Sequence, residues 1–134
     1  MTDTESPTHY QRIGGEKFIR QLVQRFYQLM DELPEAYEIR KMHAPDLSLA
    51  EEKLYMFLCG WMGGPPLYMD KYGHPRLRMR HATFNIGNRE RDQWMMCMDQ
   101  AMKDLEVESR LATELHAAFF KVADFMRNQA DSSC

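Results

Sequence analysis

The rest of the chain looks organised around residues 72–87, Y-G-H-P-R-L-R-M-R-H-A-T-F-N-I-G. The glycine, histidine and proline at 73–75 break the chain, and a proline suits the first position of a helix because its missing N–H is not needed there. The pattern predicts a short helix over residues 75–82, with His81 near its C-terminal end. Leu77 and His81 are four residues apart and therefore share one face of that helix.

A helix this short is not stable in water by itself, so it must be held by what it packs on. An apolar residue one turn ahead of a histidine, with Arg78 and Arg80 pointing elsewhere, suits the presentation of an imidazole to a flat apolar group with an anionic rim. Haem has that shape and charge. A lone histidine also often packs or caps a helix, so this stretch alone leaves both interpretations of His81 open.

The composition describes one ordinary globular domain. The chain has 134 residues, of which 44% are hydrophobic and 28% charged, enough to bury a real core. The net charge of −3 and the lack of a long basic block give no reason to expect nucleic acid. No apolar run approaches the roughly 18–20 residues that cross a membrane, and the polar N-terminus lacks a signal-peptide core. We therefore expect a cytoplasmic protein without nucleic-acid or membrane partners.

The three cysteines, Cys59, Cys97 and Cys134, form no C-x-x-C pair. An odd number of widely separated cysteines disfavours both a disulfide framework and a zinc site. Because Cys59 and Cys97 fall in apolar helical patterns, we expect both to be buried as small hydrophobic residues.

Apolar residues recur at steps of three and four in four long segments, at about 16–33, 48–61, 88–105 and 109–127. Ser48 followed by Glu51 is a capping-box pattern, which predicts Ser48 as an N-cap. Residues 1–12 look like a flexible polar arm, residues 13–128 one domain, and residues 129–134 a polar tail. The link through Tyr68 looks irregular. The sequence therefore predicts an all-α protein, either a four-helix bundle or a small globin.

Six motifs then carry a resemblance to a known family. They are Gly14-Gly15, R-F-Y at 25–27, A-E-E-K-L-Y-M-F-L at 50–58, G-G-P at 63–65, G-H-P-R-L-R-M-R-H at 73–81 and E-R-D-x-W at 90–94. In this order and spacing, nearly the whole chain resembles the truncated haemoglobins of group II. The resemblance implies a globin-like two-on-two helical sandwich with haem b between its layers.

The resemblance also implies that His81 is the proximal ligand of the haem iron. This agrees with the residue-based interpretation, because a neutral imidazole gives one nitrogen to iron while its other N–H is fixed by a hydrogen bond. On the distal side, the resemblance implies that five residues surround the bound ligand: Tyr27, His43, Ala50, Leu54 and Trp94. A phenol O–H and an indole N–H are donors that stabilise the partial negative charge of bound O₂.

Two distal positions depart from common globin patterns. Ala50 stands where many globins have a histidine, so donation falls to Tyr27 and Trp94. His43 stands where the family often has a tyrosine or phenylalanine. It is a candidate donor to the ligand, partner of Tyr27 or sixth ligand of ferric iron, and His-Ala-Pro also reads as a solvated turn.

The remaining haem contacts follow from side-chain type. The candidates for the apolar wall are Leu54, Phe57, Leu58, Leu77, Met79, Phe84, Ile86 and Met98. The propionates need cationic or hydroxyl partners, for which the candidates are Lys53, Tyr68 and Arg80, with Arg78 as the alternate.

We therefore expect a haem protein, monomer or weak dimer, that binds O₂ reversibly, with CO and NO as related ligands. Two donors over O₂ would slow its release, which favours a redox role toward NO or peroxide with electrons from an external donor. A peroxidase-like enzyme ranks second, because Ala50 leaves no distal His-Arg pair for acid–base cleavage of peroxide. A haem-free helical bundle with an exposed His81 is the third reading.

Overall fold

The computed structural model describes residues 7–76 and 86–128. The helices are α1 (His9–Ile13), α2 (Gly15–Glu32), a 3₁₀ turn (Pro34–Ala36), α3 (Tyr37–Arg40), α4 (Ser48–Trp61), α5 (Leu67–Tyr72), α6 (Asn88–Asp104) and α7 (Ser109–Phe125). Within these described ranges no residue lies in a strand, and the prediction of an all-α protein is confirmed.

Helix α2 is the hub of the fold. Its apolar stripe, which includes Ile19, Leu22, Val23 and Phe26, is completely buried. The helix packs on α4 and on α6, while α5 packs on α4 and α7 packs on α6. The two pairs of helices thus share α2, and the region between α4 on one side and α6 with α7 on the other is here called the cleft.

The ends of α2 are set by residues that cannot continue a helix. Gly14 has φ 111° and forms the boundary between α1 and α2, a left-handed conformation that glycine adopts without steric cost. Leu33 is extended, and Pro34 opens the 3₁₀ turn, as expected for a residue that precedes proline.

Structure begins earlier in the chain than we predicted. Residues 9–12, assigned to a flexible arm, lie in α1, where the Thr8 hydroxyl accepts from the Gln11 N–H at 3.1 Å and the Gln11 side chain accepts from the Thr8 N–H at 3.0 Å. This reciprocal pair is a capping box, which stabilises the first turn of a helix. Arg12 also donates to Glu114 of α7 at 2.7 Å, so α1 is tied to the rest of the fold.

Three other local predictions were wrong. The link through Tyr68 is the helix α5. Ser48 does not cap α4, because its hydroxyl donates to the Asp46 carboxylate at 2.6 Å. This hydrogen bond is also the main reason why the pKa of Asp46 is lowered. The short helix does not begin at residue 75, because Arg76 has φ 47°, which no right-handed helix contains; residues 77–82 lie outside the described part.

Helix α1 packs closely on the glycine backbone that follows α4. The Tyr10 N–H donates to the Met62 carbonyl at 2.9 Å. A Cβ placed on Gly64 would lie 2.4 Å from the Tyr10 ring, and one on Gly63 would lie 2.9 Å from Thr8. Both positions require glycine because another part of the chain approaches the backbone closely.

Gly64→Ala is therefore expected to destabilise the protein by about 1–3 kcal/mol, the usual cost of overpacking. In a Tyr10→Ala background the same substitution should cost much less, because the ring that it meets is gone. Urea unfolding of the four proteins measures this coupling. An equal loss of unfolding free energy in the two backgrounds would contradict close packing of Tyr10 on Gly64.

Cys59 and Cys97 are completely buried, which confirms the prediction for both, and Cys134 lies outside the described residues. Burial raises the pKa of the Cys97 thiol to about 11, so it stays a protonated hydrophobic residue near neutral pH. No helix among the described residues is long and apolar enough to cross a membrane.

Candidate functional site

Helix α4 has two apolar faces, and the one that is only partly covered indicates where the candidate site lies. One face packs on α2, where Tyr55 lies under the Arg20 guanidinium at 3.7 Å from the ring centroid. The other face carries Leu54, Phe57 and Trp61 at steps of three and four, and these side chains are only partly buried. A helix that presents a second, half-covered apolar stripe needs a further apolar partner.

Aromatic rings connect this stripe of α4 with α6 and α7. Trp61 of α4 stacks on Phe119 of α7 with ring centroids 4.8 Å apart. Phe119 also contacts Trp94 of α6 at 5.6 Å, edge to face. The aromatic side chains of α4, α6 and α7 thus contact one another, in addition to the contacts that α4 and α6 each make with α2. Their rings form flat apolar surfaces.

Tyr27 provides a hydrogen-bond donor on the α2 side of the cleft. Its side chain is 8% exposed, and its hydroxyl donates to the Ala50 carbonyl at 3.4 Å, longer than the usual O–H···O distance of about 2.5–3.0 Å. Burial, helped by the Glu51 carboxylate, raises the pKa of Tyr27 far above its ordinary value. The phenol therefore keeps its proton, and its weak contact leaves it able to donate to a ligand.

Trp94 provides a second donor beside the first. Its ring is partly buried and lies 5.1 Å from Phe26, whose other side contacts Tyr27 at 5.0 Å. Within residues 7–76 and 86–128, the indole N–H donates no hydrogen bond. A partly buried donor of this kind normally finds a partner, so Trp94 is suited to an acceptor that enters the cleft.

His43 lies against Tyr27 and is held in one tautomer. Its Nδ1 is 2.8 Å from the Ile39 carbonyl, and its ring meets the Tyr27 ring edge to face at 5.8 Å. Because a carbonyl oxygen only accepts, Nδ1 carries the hydrogen and Nε2 is the accepting nitrogen of the neutral ring. Metal-binding histidines are commonly oriented in this way.

The other candidates fall into three groups. Leu58 and Met98 lie in the core, with at most 1% exposure. Lys53 and Tyr68 lie at the α4–α5 side, where Tyr68 is buried against Phe57 at 6.5 Å. The remaining group lies outside the described residues: Leu77, Arg78, Met79, Arg80, His81 and Phe84.

The chain on either side of residues 77–85 is fixed by hydrogen bonds. Before them, the His74 Nδ1 accepts from the Arg76 N–H at 3.1 Å. After them, Ile86 exchanges two hydrogen bonds with Asn128, at 2.9 and 2.8 Å. The described residues next to the segment that carries His81 thus make hydrogen bonds on both sides.

The described part of the site fits haem. It offers the partly buried apolar stripe of α4, aromatic walls, the weakly bonded Tyr27 hydroxyl and the unsatisfied indole N–H of Trp94. An apolar surface with a few convergent polar groups is the usual form of a cofactor site. Trp61 and Phe119 were not among the predicted site residues. The seven-residue step from Leu54 to Trp61 was a usable signal, but Phe119 gave none.

The raised pKa of Tyr27 predicts that this phenol does not contribute to the tyrosinate absorbance that develops near pH ~10. Ordinary tyrosines ionise near pH ~10, so wild type and Tyr27→Phe should show the same tyrosinate absorbance step there. The stability linked to the raised pKa is fully present below pH ~10 and is lost as the pH rises through the folded-state pKa. A smaller step in Tyr27→Phe would contradict the burial of this phenol.

Comparison with known proteins agrees with this geometry. The model of the bacterial-like globin family matches residues 8–128. A group 2 truncated haemoglobin of Bacillus subtilis (strain 168) is 35% identical over 118 residues, which is 88% of this chain and 87% of that protein. These matches span nearly the whole described part of the chain.

Solved structures show the same similarity in three dimensions. The group II two-on-two haemoglobin of Agrobacterium tumefaciens superposes with a TM-score of 0.89 at 45% identity, covering 96% of this chain and 100% of that one. The group II truncated haemoglobin of Bacillus anthracis gives a TM-score of 0.89 at 31% identity, covering 98% and 100%. The two-on-two sandwich is thereby confirmed. The chain belongs to the group II truncated haemoglobins, bacterial-like globins that bind small gas ligands at a haem of the b type.

Proposed function

We propose that this globin binds O₂ reversibly, with CO and NO as related ligands, and that His81 is the proximal ligand of its haem. The observation that carries the proposal is the pair of donors in the cleft. The Tyr27 hydroxyl has one long contact, the Trp94 N–H has none within residues 7–76 and 86–128, and both rings lie against Phe26. An O₂ ligand, which accepts hydrogen bonds, satisfies both donors.

Each distal residue then has a role. When bound, the haem supplies the iron at which a diatomic ligand is held. Tyr27 and Trp94 donate to that ligand, and Leu54 packs beside it. Ala50 has only a methyl group, so it neither donates to the ligand nor fills the space above it.

His43 acts through Tyr27 in this proposal. Its ring contacts the Tyr27 ring edge to face and so holds the phenol in place. His43 is also a candidate sixth ligand of ferric iron when no exogenous ligand is present.

The rest of the predicted set holds the cofactor. Apolar contact comes from Phe57, Leu77, Phe84 and Ile86, whereas Leu58 and Met98 pack in the core, and the propionates pair with Lys53, Tyr68 and Arg80. Lys53 is the best supported of these three, because its ammonium lies at the α4–α5 side of the cleft, 5.3 Å from the Tyr72 ring centroid.

Reversibility is tested on the reduced, haem-loaded protein. Visible spectra are recorded under argon, after addition of O₂, and after a second argon purge. The proposal expects the O₂ spectrum to form and the deoxygenated spectrum to return. Immediate oxidation to the ferric form on every O₂ addition would show that the protein is not a reversible O₂ binder.

The donor pair also favours a second activity, the oxidation of NO. Donors that slow O₂ release leave time for NO to react, giving nitrate and ferric protein, which an external one-electron donor must reduce. The O₂-loaded protein mixed with one equivalent of NO should yield one equivalent of nitrate. Release of free O₂ with formation of the NO complex would exclude this activity.

A further inference from the structure

Six aromatic rings run in contact from the candidate site to the surface beside α5. They are Trp94, Phe119, Trp61, Phe57, Tyr68 and Tyr72. The first part of the series crosses the cleft, with Trp94 to Phe119 at 5.6 Å and Phe119 to Trp61 at 4.8 Å between ring centroids. Every member lies in the described part of the chain.

The second part follows α4 and α5. Phe57 stacks on Trp61 at 6.4 Å and meets Tyr68 edge to face at 6.5 Å, and Tyr68 lies 4.9 Å from Tyr72. All five separations fall within the range of about 4.5–7 Å at which aromatic rings are in contact. The series is therefore continuous from end to end.

Tryptophan and tyrosine lose one electron far more readily than phenylalanine. Four of the six rings are of these oxidisable types, and no two successive ones are separated by more than one phenylalanine. Tyr68 is 8% exposed, whereas Tyr72 is partly exposed. An oxidising equivalent that enters at Trp94 can thus pass through the buried Tyr68 and reach solvent at the Tyr72 end of the series.

Two lysine side chains lie beside the Tyr72 ring. The ammonium groups of Lys53 and Lys71 lie 5.3 and 5.5 Å from its ring centroid. Cations at this distance concentrate small anions near the ring. The surface around Tyr72 therefore suits a small anionic reductant.

We propose that this series conducts oxidising equivalents from the haem site to Tyr72 during the reduction of hydrogen peroxide, and that anionic one-electron donors are oxidised there. The inference rests on the proposed haem site. It assigns the described chain a reductant site separate from the ligand pocket.

The electrons and protons balance as follows. Reduction of one hydrogen peroxide to two water molecules consumes two electrons and two protons. Each electron leaves the Tyr72 phenol, whose proton passes to water, and a neutral phenoxyl radical remains. A donor molecule returns one electron and water returns the proton, so two donors are oxidised for each peroxide.

Tyr37 is a matched control for Tyr72. It is 63% exposed, and the Lys41 ammonium lies 5.2 Å from its ring centroid. Within residues 7–76 and 86–128 no aromatic ring contacts it. If exposure and a nearby cation alone decided where a radical forms, Tyr37 would be the better site.

The experiment uses haem-loaded wild type, Tyr72→Phe, Tyr37→Phe and Trp61→Phe, each treated with one equivalent of hydrogen peroxide and a nitroso spin trap. Peptide mass spectrometry locates the adduct. The proposal expects the adduct on Tyr72 in wild type and Tyr37→Phe, and its loss from position 72 in Trp61→Phe, where a ring remains but the oxidisable indole is gone. Ascorbate added before the trap should suppress the adduct.

The outcomes separate the two proposals. Adducts confined to Tyr27 or Tyr37 in wild type, or an undiminished Tyr72 adduct in Trp61→Phe, would overturn the conduit while the haem spectrum showed that the cofactor site stands. A Tyr72→Phe protein that oxidised ascorbate with the wild-type saturation curve would overturn the reductant site. If no variant bound haem, the proposed function itself would fail.

Discussion

Replacement of His81 by glycine is expected to weaken haem retention by on the order of 100-fold or more. Partners that merely orient a metal ligand contribute about 10- to 100-fold to metal affinity, and loss of the ligand itself removes at least that much. Free imidazole, which fits the space left by the side chain, should restore both retention and the spectrum. Transfer of haem to an excess of apomyoglobin measures the dissociation rate.

His74→Ala is the matched control for this variant. His74 lies seven residues earlier on the same stretch, and its Nδ1 accepts a hydrogen bond from the Arg76 N–H. It should retain haem like the wild type. If His81→Gly kept its haem and His74→Ala lost it, the proximal assignment would be wrong.

Trp94→Phe is expected to accelerate O₂ release by roughly 10- to 100-fold. A hydrogen bond to a charged acceptor contributes about 1.5–3 kcal/mol, and each 1.4 kcal/mol or so corresponds to tenfold. Phenylalanine keeps an aromatic ring against Phe26 and Phe119 but has no N–H, so the change isolates the donor. Stopped-flow displacement of O₂ by CO measures the rate.

Tyr37→Phe serves as the control here, because it also removes one hydrogen-bond donor but from a tyrosine that is 63% exposed. Its O₂ release should stay close to that of the wild type. An unchanged rate in Trp94→Phe would show that the indole N–H does not reach the ligand, and Tyr27 would then be the remaining donor.

The helices were predictable because their periodicity is strong. The buried stripe of α2 recurs at every third or fourth residue, and no competing pattern exists there. Helix ends were less predictable, because they depend on single hydrogen bonds. The sequence around Ser48 fits an N-cap, but the Ser48 hydroxyl donates to the Asp46 carboxylate instead. The capping box at Thr8 lies in a polar stretch, where no apolar periodicity indicates a helix.

Site residues that belong to sequence motifs could be predicted. Site residues that are brought together only by the packing of helices could not. The order of motifs pointed to Tyr27 and Trp94, but nothing in the sequence says that both rings lie against Phe26. The Trp61–Phe119 contact joins residues far apart in the chain, so it arises only when α4 and α7 are brought together. Arg76 adopts φ 47°, which is uncommon outside glycine, asparagine and aspartate, so the helix does not begin at residue 75 as the proline suggested.

The most direct test of the account is a haemin titration of the apoprotein, followed by reduction and addition of CO. The account predicts a Soret band that saturates at one haem per chain, quenching of Trp61 and Trp94 fluorescence over the same range, and a further shift of the band with CO. A chain that stays colourless, or whose tryptophan fluorescence is unaffected while haemin accumulates without saturation, would contradict a haem site in the cleft between α4 and α6.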